Sequence, residues 1–177
     1  MTIAYQGAPG AFSHEACLAF APGYVPIPRA TFAEVVEAVV SGATELGILP
    51  VENSAAGAVP GNRELIDRAQ VRVRGEHDLA VRMHLLALPG TTIDDVAMIS
   101  SHPMALRQCS AFLSEVGVET REASNTAVAA QSLVSSHEAV LGSEAAASAY
   151  GLTILHRDVH DDAANVTRFC IFERAKA

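Results

Sequence analysis

The order of hydrophobic and polar residues along the chain predicts alternating strands and helices. Short apolar runs indicate buried strands, and apolar positions that recur every three or four residues indicate helices. Pro103 and the capping pair Thr31 and Glu34 mark helix starts, whereas Gly42 and Gly151 mark helix ends. The predicted strands cover residues 3–5, 46–49, 71–74, 79–88, 96–99, 118–121 and 139–141. Two predicted helices end near residue 20 and near Gly42, and a third spans about 62–69. A fourth has one apolar stripe from Ala105 to Val116. A fifth begins at 124–126, and a sixth runs from 142–143 to 150–151. This alternation predicts an α/β architecture.

Several of the predicted strand-to-helix turns share one chemical character. Each combines small or hydroxyl-bearing side chains with backbone N–H groups at a helix start, where anions are favoured. In open α/β sheets such turns gather beyond the carboxyl ends of the strands, so together they predict a site for a small carboxylate ligand. Plain helix capping is the alternative for any single turn. The turns are Gln6-Gly7, Glu52-Asn53-Ser54, Ser101-His102, Asn125-Thr126 and Gly142-Ser143.

A further motif near the C-terminus joins a hydroxyl, a fixed cation and an aromatic ring. It is Thr167-Arg168-Phe169, preceded by Asn165. Taken alone, the motif is typical of a strand start with a packed aromatic residue and a surface charge. It points to a site only in combination with the polar turns.

Composition and charge narrow the classes of ligand. Of the 177 residues 50% are apolar, and 12 Lys and Arg stand against 20 Asp and Glu, for a formal charge of −8. This acidic balance, with no basic cluster, argues against nucleic-acid and anionic-membrane partners. The longest stretch free of charged residues, 123–137, is too short and too polar to span a bilayer. The first residues lack the basic start and long apolar core of a signal peptide, so we expect a cytoplasmic protein.

The sequence predicts no metal site and no nucleotide cofactor. The three cysteines are far apart with no CxxC spacing, which favours buried reduced thiols, and the seven His residues are scattered. The turn Gly7-x-x-Gly10 lacks the GxGxxG spacing of a dinucleotide site. Ser13-His14-Glu15 cannot form a catalytic relay, because neighbouring residues of one helix point in different directions.

Five groups of residues occur in order along the chain. They are Tyr5-Gln6-Gly7 with Gly10-Ala11-Phe12-Ser13, Pro50-Val51-Glu52-Asn53-Ser54 with Gly57, Ser101-His102-Pro103 with Ala105-Leu106 and Gln108-Cys109, Ala146 with Tyr150-Gly151-Leu152, and Asn165-x-Thr167-Arg168-Phe169. From end to end this order resembles the catalytic domain of the prephenate dehydratase family. The resemblance implies two α/β lobes arranged like a type 2 periplasmic binding protein, with the active site in the interlobe cleft. It implies one dehydratase domain over residues 1–177, with lobe one at about 1–77 and 161–177 and lobe two at about 78–160.

The resemblance also implies a reaction. Prephenate loses carbon dioxide and its ring hydroxyl, as water, and gives phenylpyruvate, the precursor of phenylalanine. The gain of aromaticity drives this step, so it needs an acid and an anchor rather than a metal, a redox cofactor or a covalent nucleophile. Thr167 is the expected acid for the departing hydroxyl, since general-acid assistance contributes roughly 10² to 10⁴ in rate. Arg168 is expected to polarise Thr167 or to bind a substrate carboxylate through its planar fork.

Other residues receive binding or supporting roles from the same resemblance. Substrate contacts are expected from Asn53, Ser54, Ser101, Thr126 and Phe169, although packing is the favoured role of Phe169. Supporting roles are expected for Gln6, Glu52, His102 and Asn165, with Glu52 orienting its loop.

Several alternative functions stay open, and the chain departs from the common family pattern in one respect. Some relatives use arogenate and form phenylalanine directly. A prephenate decarboxylase would retain the hydroxyl, which Thr167 argues against, and a two-lobed binding protein would hold a small anion without turnover. Only residues 170–177 follow the Thr-Arg-Phe motif. We therefore expect no regulatory ACT domain, no phenylalanine feedback through one and no fused chorismate mutase. A homodimer is the expected assembly.

Overall fold

Strands and helices alternate along the chain in the computed structural model, which describes residues 1–175. The strands are β1 (Thr2–Gln6), β2 (Val25–Arg29), β3 (Leu46–Asn53), β4 (Gly57–Ala58), β5 (Val71–Ala80), β6 (His84–Ala87), β7 (Met98–Ser101), β8 (Glu119–Glu122), β9 (Glu138–Gly142), β10 (Thr153–His156) and β11 (Val166–Arg174). The helices are α1 (Phe12–Phe20), α2 (Phe32–Val40), α3 (Asn62–Arg68), α4 (Pro103–Gln108), α5 (Ser110–Val116), α6 (Thr126–Gln131) and α7 (Glu144–Tyr150), with a 3-10 helix at Ile93–Asp95. The chain divides into two compact units with one sheet each, so the predicted α/β architecture is confirmed.

Unit 1 consists of residues 1–8, residues 12–81 and the segment that begins at Ala164. Its sheet has the order β2-β1-β3-β11-β5, with β4 paired to β3. Strand β1 runs parallel to β2 and β3, whereas β11 runs antiparallel between β3 and β5. Apolar residues of α2, such as Val35 and Val39, pack with Phe172 in one core cluster. Helix α1 contributes Cys17 to a second cluster. This topology brings the end of β3 beside the start of β11.

Unit 2 consists of residues 9–11 and 82–163. Its sheet has the order β10-β6-β9-β7-β8, in which β7 is parallel to β8 and β9, and β6 is antiparallel to β9 and β10. Small side chains fill its core, because Ala130 and Ala146 pack with Leu86 and Val140. These alanines let α6 and α7 lie close to the sheet.

Position 10 in unit 2 requires glycine because of both its backbone conformation and its close neighbours. It has φ of +86°, and a Cβ atom at this position would lie 2.6 Å from Cα of Ala146. Ser143 Oγ donates a 2.7 Å hydrogen bond to the carbonyl of Gly10, and the hydroxyl of Tyr150 donates one of 2.7 Å to the carbonyl of Pro9. A larger residue would be strained and would also collide with α7.

The strand predictions were wrong in three places. Strand β5 continues through Gly75, where its register against β11 shifts, and a separate strand β6 replaces the predicted run 79–88. Strands β2 and β10 were not predicted. Pro26 and Pro28 are atypical of a strand, so β2 carried no strand signal in the sequence. The strand tolerates both prolines because it lies at the edge of the sheet.

The single helical stripe predicted from Ala105 to Val116 was also wrong. Two helices meet at Cys109, whose φ of −120° and ψ of 24° interrupt the helical geometry. Asp161 supports the second start, because its carboxylate accepts from the N–H groups of Ser110 at 2.9 Å and Ala111 at 3.1 Å. A carboxylate remote in sequence therefore caps α5, and no local pattern announces it.

None of the helices within residues 1–175 combines the length and the apolar character that a bilayer crossing requires.

Candidate active site

Asn53 and Thr167 lie opposite each other where β3 ends and β11 begins. Nδ2 of Asn53 donates to Oγ1 of Thr167 at 2.9 Å, to Oδ1 of Asn165 at 2.8 Å and to the carbonyl of Val166 at 3.2 Å. An amide NH₂ group carries two hydrogens, so one of them is shared between two acceptors. The hydroxyl oxygen of Thr167 is thereby held as a hydrogen-bond acceptor.

The other end of the Asn53 amide is engaged as well. Its Oδ1 accepts from the backbone N–H groups of Ala55 and Ala56, each at 3.0 Å, which closes the turn after β3. These contacts also define which end of the amide is oxygen. Asn53 was predicted to contact the substrate. Its amide is engaged with Thr167 and with the turn, and a contact with the substrate stays a prediction.

The Thr167 hydroxyl is still able to donate a hydrogen bond. A hydroxyl group that accepts from Asn53 still has its own proton to donate. Accepting a hydrogen bond also strengthens a hydroxyl as a donor, because neighbouring hydrogen bonds polarise one another. The Thr167 side chain is partly exposed, so a ligand can reach it. This geometry suits a donor to an oxygen atom that gains negative charge.

Ser54 and Asn165 fix the backbone on both sides of this pair. Ser54 Oγ accepts from the N–H of Val166 at 2.9 Å and donates to the carbonyl of Ala164 at 3.4 Å. Asn165 is buried, and its carbonyl accepts from the N–H of Val81 at 2.8 Å. Both residues were predicted at the site, and both hold the backbone that leads into β11.

Arg168 takes part in a different set of contacts. Its Nε donates to Oδ1 of Asp78 at 2.9 Å, and its Nη1 donates to Oε2 of Glu52 at 3.4 Å. Successive side chains of a strand point to opposite faces of a sheet, which separates this guanidinium from the Thr167 hydroxyl. The hydrogen bond from Arg168 lowers the pKa of Asp78, and Asp78 in turn raises the pKa of Arg168. The structure therefore brings Asn53, rather than Arg168, to the hydroxyl of Thr167.

Asp78 was missed by sequence reasoning. It lies opposite Arg168 in the register of β5 against β11, and Glu52 lies opposite Arg168 in the register of β3. The three side chains link three adjacent strands. Only this register, and no local motif, could have identified Asp78.

Two further predicted residues of unit 1 make other contacts. Phe169 is 1% exposed and packs in a core cluster with Ile3 and Tyr5, so its side chain has no surface to offer a ligand. Gln6 donates from Nε2 to the carbonyl of Ala30 at 3.2 Å.

The predicted residues of unit 2 lie at the ends of its parallel strands. Ser101 is fully buried and donates to the carbonyl of Leu141 at 3.0 Å, while Nδ1 of His102 accepts from the N–H of Met104 at 3.1 Å. Asn125 caps α6 by accepting from Val128 at 2.7 Å, and Thr126 is the first residue of that helix. Capping thus describes His102 and Asn125, and the substrate roles of Ser101 and Thr126 stay predictions.

The cysteines and the possible metal ligands complete the inventory of reactive groups. Burial raises the pKa of the Cys17 and Cys109 thiols to about 12 and that of Cys170 to about 11. All three thiols are therefore protonated at neutral pH and are poor nucleophiles. Within residues 1–175, no group of three or more His, Cys, Asp or Glu side chains is placed to hold a metal ion.

Comparison with known proteins finds one family over almost the whole chain. Residues 3–177 match the family model for prephenate dehydratase. The chain is 39% identical to a bifunctional N-acyl-homoserine lactone acylase/prephenate dehydratase of Komagataeibacter europaeus, with 99% of this chain and 63% of that protein covered. It is 38% identical to the chloroplastic arogenate dehydratase/prephenate dehydratase 1 of Arabidopsis thaliana, with 97% of this chain and 45% of that protein covered. The chain thus spans less than two thirds of the length of these relatives.

A solved structure shares the same fold. The prephenate dehydratase of Arthrobacter aurescens, in complex with L-Phe, superimposes with a TM-score of 0.88 at 27% identity, over 100% of this chain and 61% of that chain.

Proposed function

This chain belongs to the prephenate dehydratase family, and we propose that it converts prephenate to phenylpyruvate. In this reaction the ring carboxylate leaves as carbon dioxide, and its bonding electrons enter the ring. The ring hydroxyl departs at the same time, takes up one proton and leaves as water, so the ring becomes aromatic. The observation that carries the proposal is the hydrogen bond from Asn53 to Thr167, since it prepares a donor for the departing oxygen.

Thr167 acts on the leaving group in this proposal. Hydroxide is a poor leaving group, so the transition state gains from a donor to the departing oxygen. Thr167 donates its hydroxyl proton in a hydrogen bond to that oxygen, while the N–H of Asn53 compensates the negative charge that grows on Oγ1. That proton passes to the departing oxygen, which leaves as water, and a proton from solvent then restores the Thr167 hydroxyl. No thiolate, metal ion or redox group takes part in these steps.

Asn53, Asn165, Ser54 and Arg168 are positioning residues in this proposal. Asn53 sets the direction of the hydrogen bond at Thr167, and Ser54 and Asn165 hold the backbone that leads into β11. Arg168 links β11 to β5 and β3 through Asp78 and Glu52 at the level of Thr167. The Arg168 guanidinium is engaged by the carboxylates of Asp78 and Glu52. A direct contact between Arg168 and a substrate carboxylate would compete with these pairs and stays a prediction.

Arogenate is the second substrate to consider, because the Arabidopsis thaliana relative carries both substrate names. The purified chain should be given prephenate and arogenate in parallel, with phenylpyruvate and phenylalanine as the products measured. We expect phenylpyruvate from prephenate. Loss of carbon dioxide without an aromatic product would identify a decarboxylase, and tight binding without turnover would identify a binding protein. Either result would contradict the proposal.

We further propose a cytoplasmic homodimer. The cysteines are buried free thiols, which suits a reducing compartment, and two-fold dimers are the commonest assemblies of soluble proteins. The Arabidopsis thaliana relative is chloroplastic, so the compartment should be tested by fractionation of the source cells. Sedimentation equilibrium of the purified chain should give twice the chain mass.

A further inference from the structure

A second concave region of unit 1 lies apart from the pair formed by Asn53 and Thr167. It is a cavity of about 310 Å³ beside the C-terminal end of α1. Its principal lining residues are Phe20, Tyr24, Leu46, Arg74, His77 and Ile171. Small-molecule sites are concave, largely apolar and begin at about this volume. The cavity is therefore large enough for one small ligand.

The walls of the cavity combine aromatic and aliphatic side chains with the polar groups of Arg74 and His77. Phe20 and His77 stack with ring centroids 5.0 Å apart and an angle of 19° between their planes. Leu46 and Ile171 are 4% exposed, and both belong to the core cluster against which Phe20 and Tyr24 pack. Because this core holds the rings from behind, the aromatic surface is formed before any ligand arrives. Such a surface favours a flat apolar group.

Arg74 provides a positive charge at the same cavity. The shortest contact between its guanidinium and Glu173 is 3.6 Å, which exceeds hydrogen-bond distance. Arg72 donates to the same carboxylate at 3.0 Å and is its closer partner. The Arg74 side chain is 50% exposed, so its planar fork can turn toward a ligand carboxylate.

The cavity is separate from the candidate active site. Ile171 and Thr167 both lie on β11, and the rise of a strand places them roughly 13 Å apart. A small ligand that fills the cavity would not reach the Thr167 hydroxyl. Binding at the two places can therefore be observed independently.

We propose that this cavity binds a small aromatic monocarboxylate. The ring of the ligand packs against Phe20 and Tyr24, and its carboxylate pairs with Arg74. A dicarboxylate is disfavoured, because the carboxylate of Glu173 on β11 already lies beside Arg74. The proposal does not depend on the reaction at Thr167, since binding is measured without turnover.

The test is an NMR titration of the purified chain with 3-phenylpropionate. Two comparison ligands separate the contribution of the charge from that of the ring: 3-phenylpropionamide lacks the charge, and butyrate lacks the ring. For a ligand of this size we expect a Kd on the order of 1 mM, with shifts at the aromatic resonances of Phe20, Tyr24 and His77. We expect each comparison ligand to bind about tenfold more weakly. Equal binding of the acid and the amide would overturn the proposal.

Variants locate the binding site. Arg74→Gln should weaken 3-phenylpropionate about tenfold, and Phe20→Leu, which keeps an apolar wall, should weaken it several-fold. Glu173→Gln should tighten it, because a competing carboxylate is removed. Arg157→Gln makes the same change of charge at a residue that does not line the cavity and should leave Kd unchanged. Unchanged affinity in folded Arg74→Gln, or shifts confined to the surroundings of Asn53 and Thr167, would contradict the assignment.

Discussion

The side-chain amide of Asn53 donates a 2.9 Å hydrogen bond to the hydroxyl oxygen of Thr167. The direction of this bond matters more than its length. Because the oxygen accepts, the hydroxyl proton is left to donate to another group, and the leaving oxygen of prephenate is the group we propose. The same amide closes the turn after β3 through Ala55 and Ala56, so a change at Asn53 must keep that turn.

Asn53→Asp tests the direction of this hydrogen bond. A carboxylate still accepts from Ala55 and Ala56, but it has no proton to donate, so the Thr167 hydroxyl must donate to it. We expect kcat for phenylpyruvate formation to fall roughly 100-fold, within the range of general-acid effects, with a smaller change in KM. Steady-state kinetics check this. The thermal midpoint should fall, because Asn165 Oδ1 and the Val166 carbonyl also lose their donor, so the kinetics are measured well below the unfolding range. A normal kcat would show that Asn53 does not control Thr167.

Arg168→Lys and Asp78→Asn distinguish a positioning role from a substrate contact. If Arg168 acts through Asp78, the two substitutions should each lower kcat several-fold, and the double variant should be no worse than either single one. Stability should change little, because the ion pair is exposed and solvent screens it. A large loss in Arg168→Lys, with normal turnover in Asp78→Asn, would instead assign the guanidinium to the substrate.

Gly10→Ala and Gly23→Ala form a matched pair for stability. Both glycines have positive φ, +86° and +93°, but only Gly10 has a close neighbour, since an added Cβ would lie 2.6 Å from Ala146 Cα. We expect Gly23→Ala to lower the free energy of unfolding by about 1 kcal/mol through backbone strain alone. Gly10→Ala should lower it by roughly 2 to 4 kcal/mol, because overpacking adds to the strain. Urea denaturation measures both, and equal losses would exclude the steric contribution.

His84 makes stability depend on pH. Burial lowers the pKa of His84, whose Nδ1 accepts from the backbone N–H of Asp158 at 3.0 Å. The folded chain therefore binds fewer protons than the unfolded chain, whose His titrates near 6.5. The contribution is fully present above about pH 6.5 and declines as the pH falls toward the lower, folded-state pKa.

Comparing urea midpoints at pH 7.5 and pH 5.5 measures this effect. The decrease between the two pH values should be smaller in His84→Gln than in the parent chain, because glutamine retains an acceptor and does not titrate. Part of the decrease should remain, since burial lowers the pKa of His14 as well. An identical decrease in both proteins would show that His84 is not responsible.

Local signals in the sequence were sufficient to find the main residues of the candidate site. Asn53 belongs to a polar turn, and Thr167 to a compact motif, so each could be selected without knowledge of the other. Their hydrogen bond could not be predicted, because it depends on the antiparallel register of β3 and β11. The same register pairs Arg168 with Asp78 and Glu52, which redirected the role expected for the guanidinium.

The errors in the fold prediction have the same physical origin. Periodicity reports which face of an element is buried, but it does not report where a remote side chain ends that element. Asp161 starts a new helix after Cys109, although an apolar stripe runs across the break. In β2, prolines gave a turn signal within a strand that lies at the edge of the sheet.

Turnover of prephenate by Thr167→Val and Thr167→Ser tests the central claim most directly. Valine keeps the shape and the β-branched preference for a strand but removes the hydroxyl, whereas serine keeps the hydroxyl. We predict that Thr167→Val, while folded, loses at least roughly 100-fold in kcat for phenylpyruvate, and that Thr167→Ser retains most of the activity. Near-normal phenylpyruvate formation by folded Thr167→Val would contradict the account.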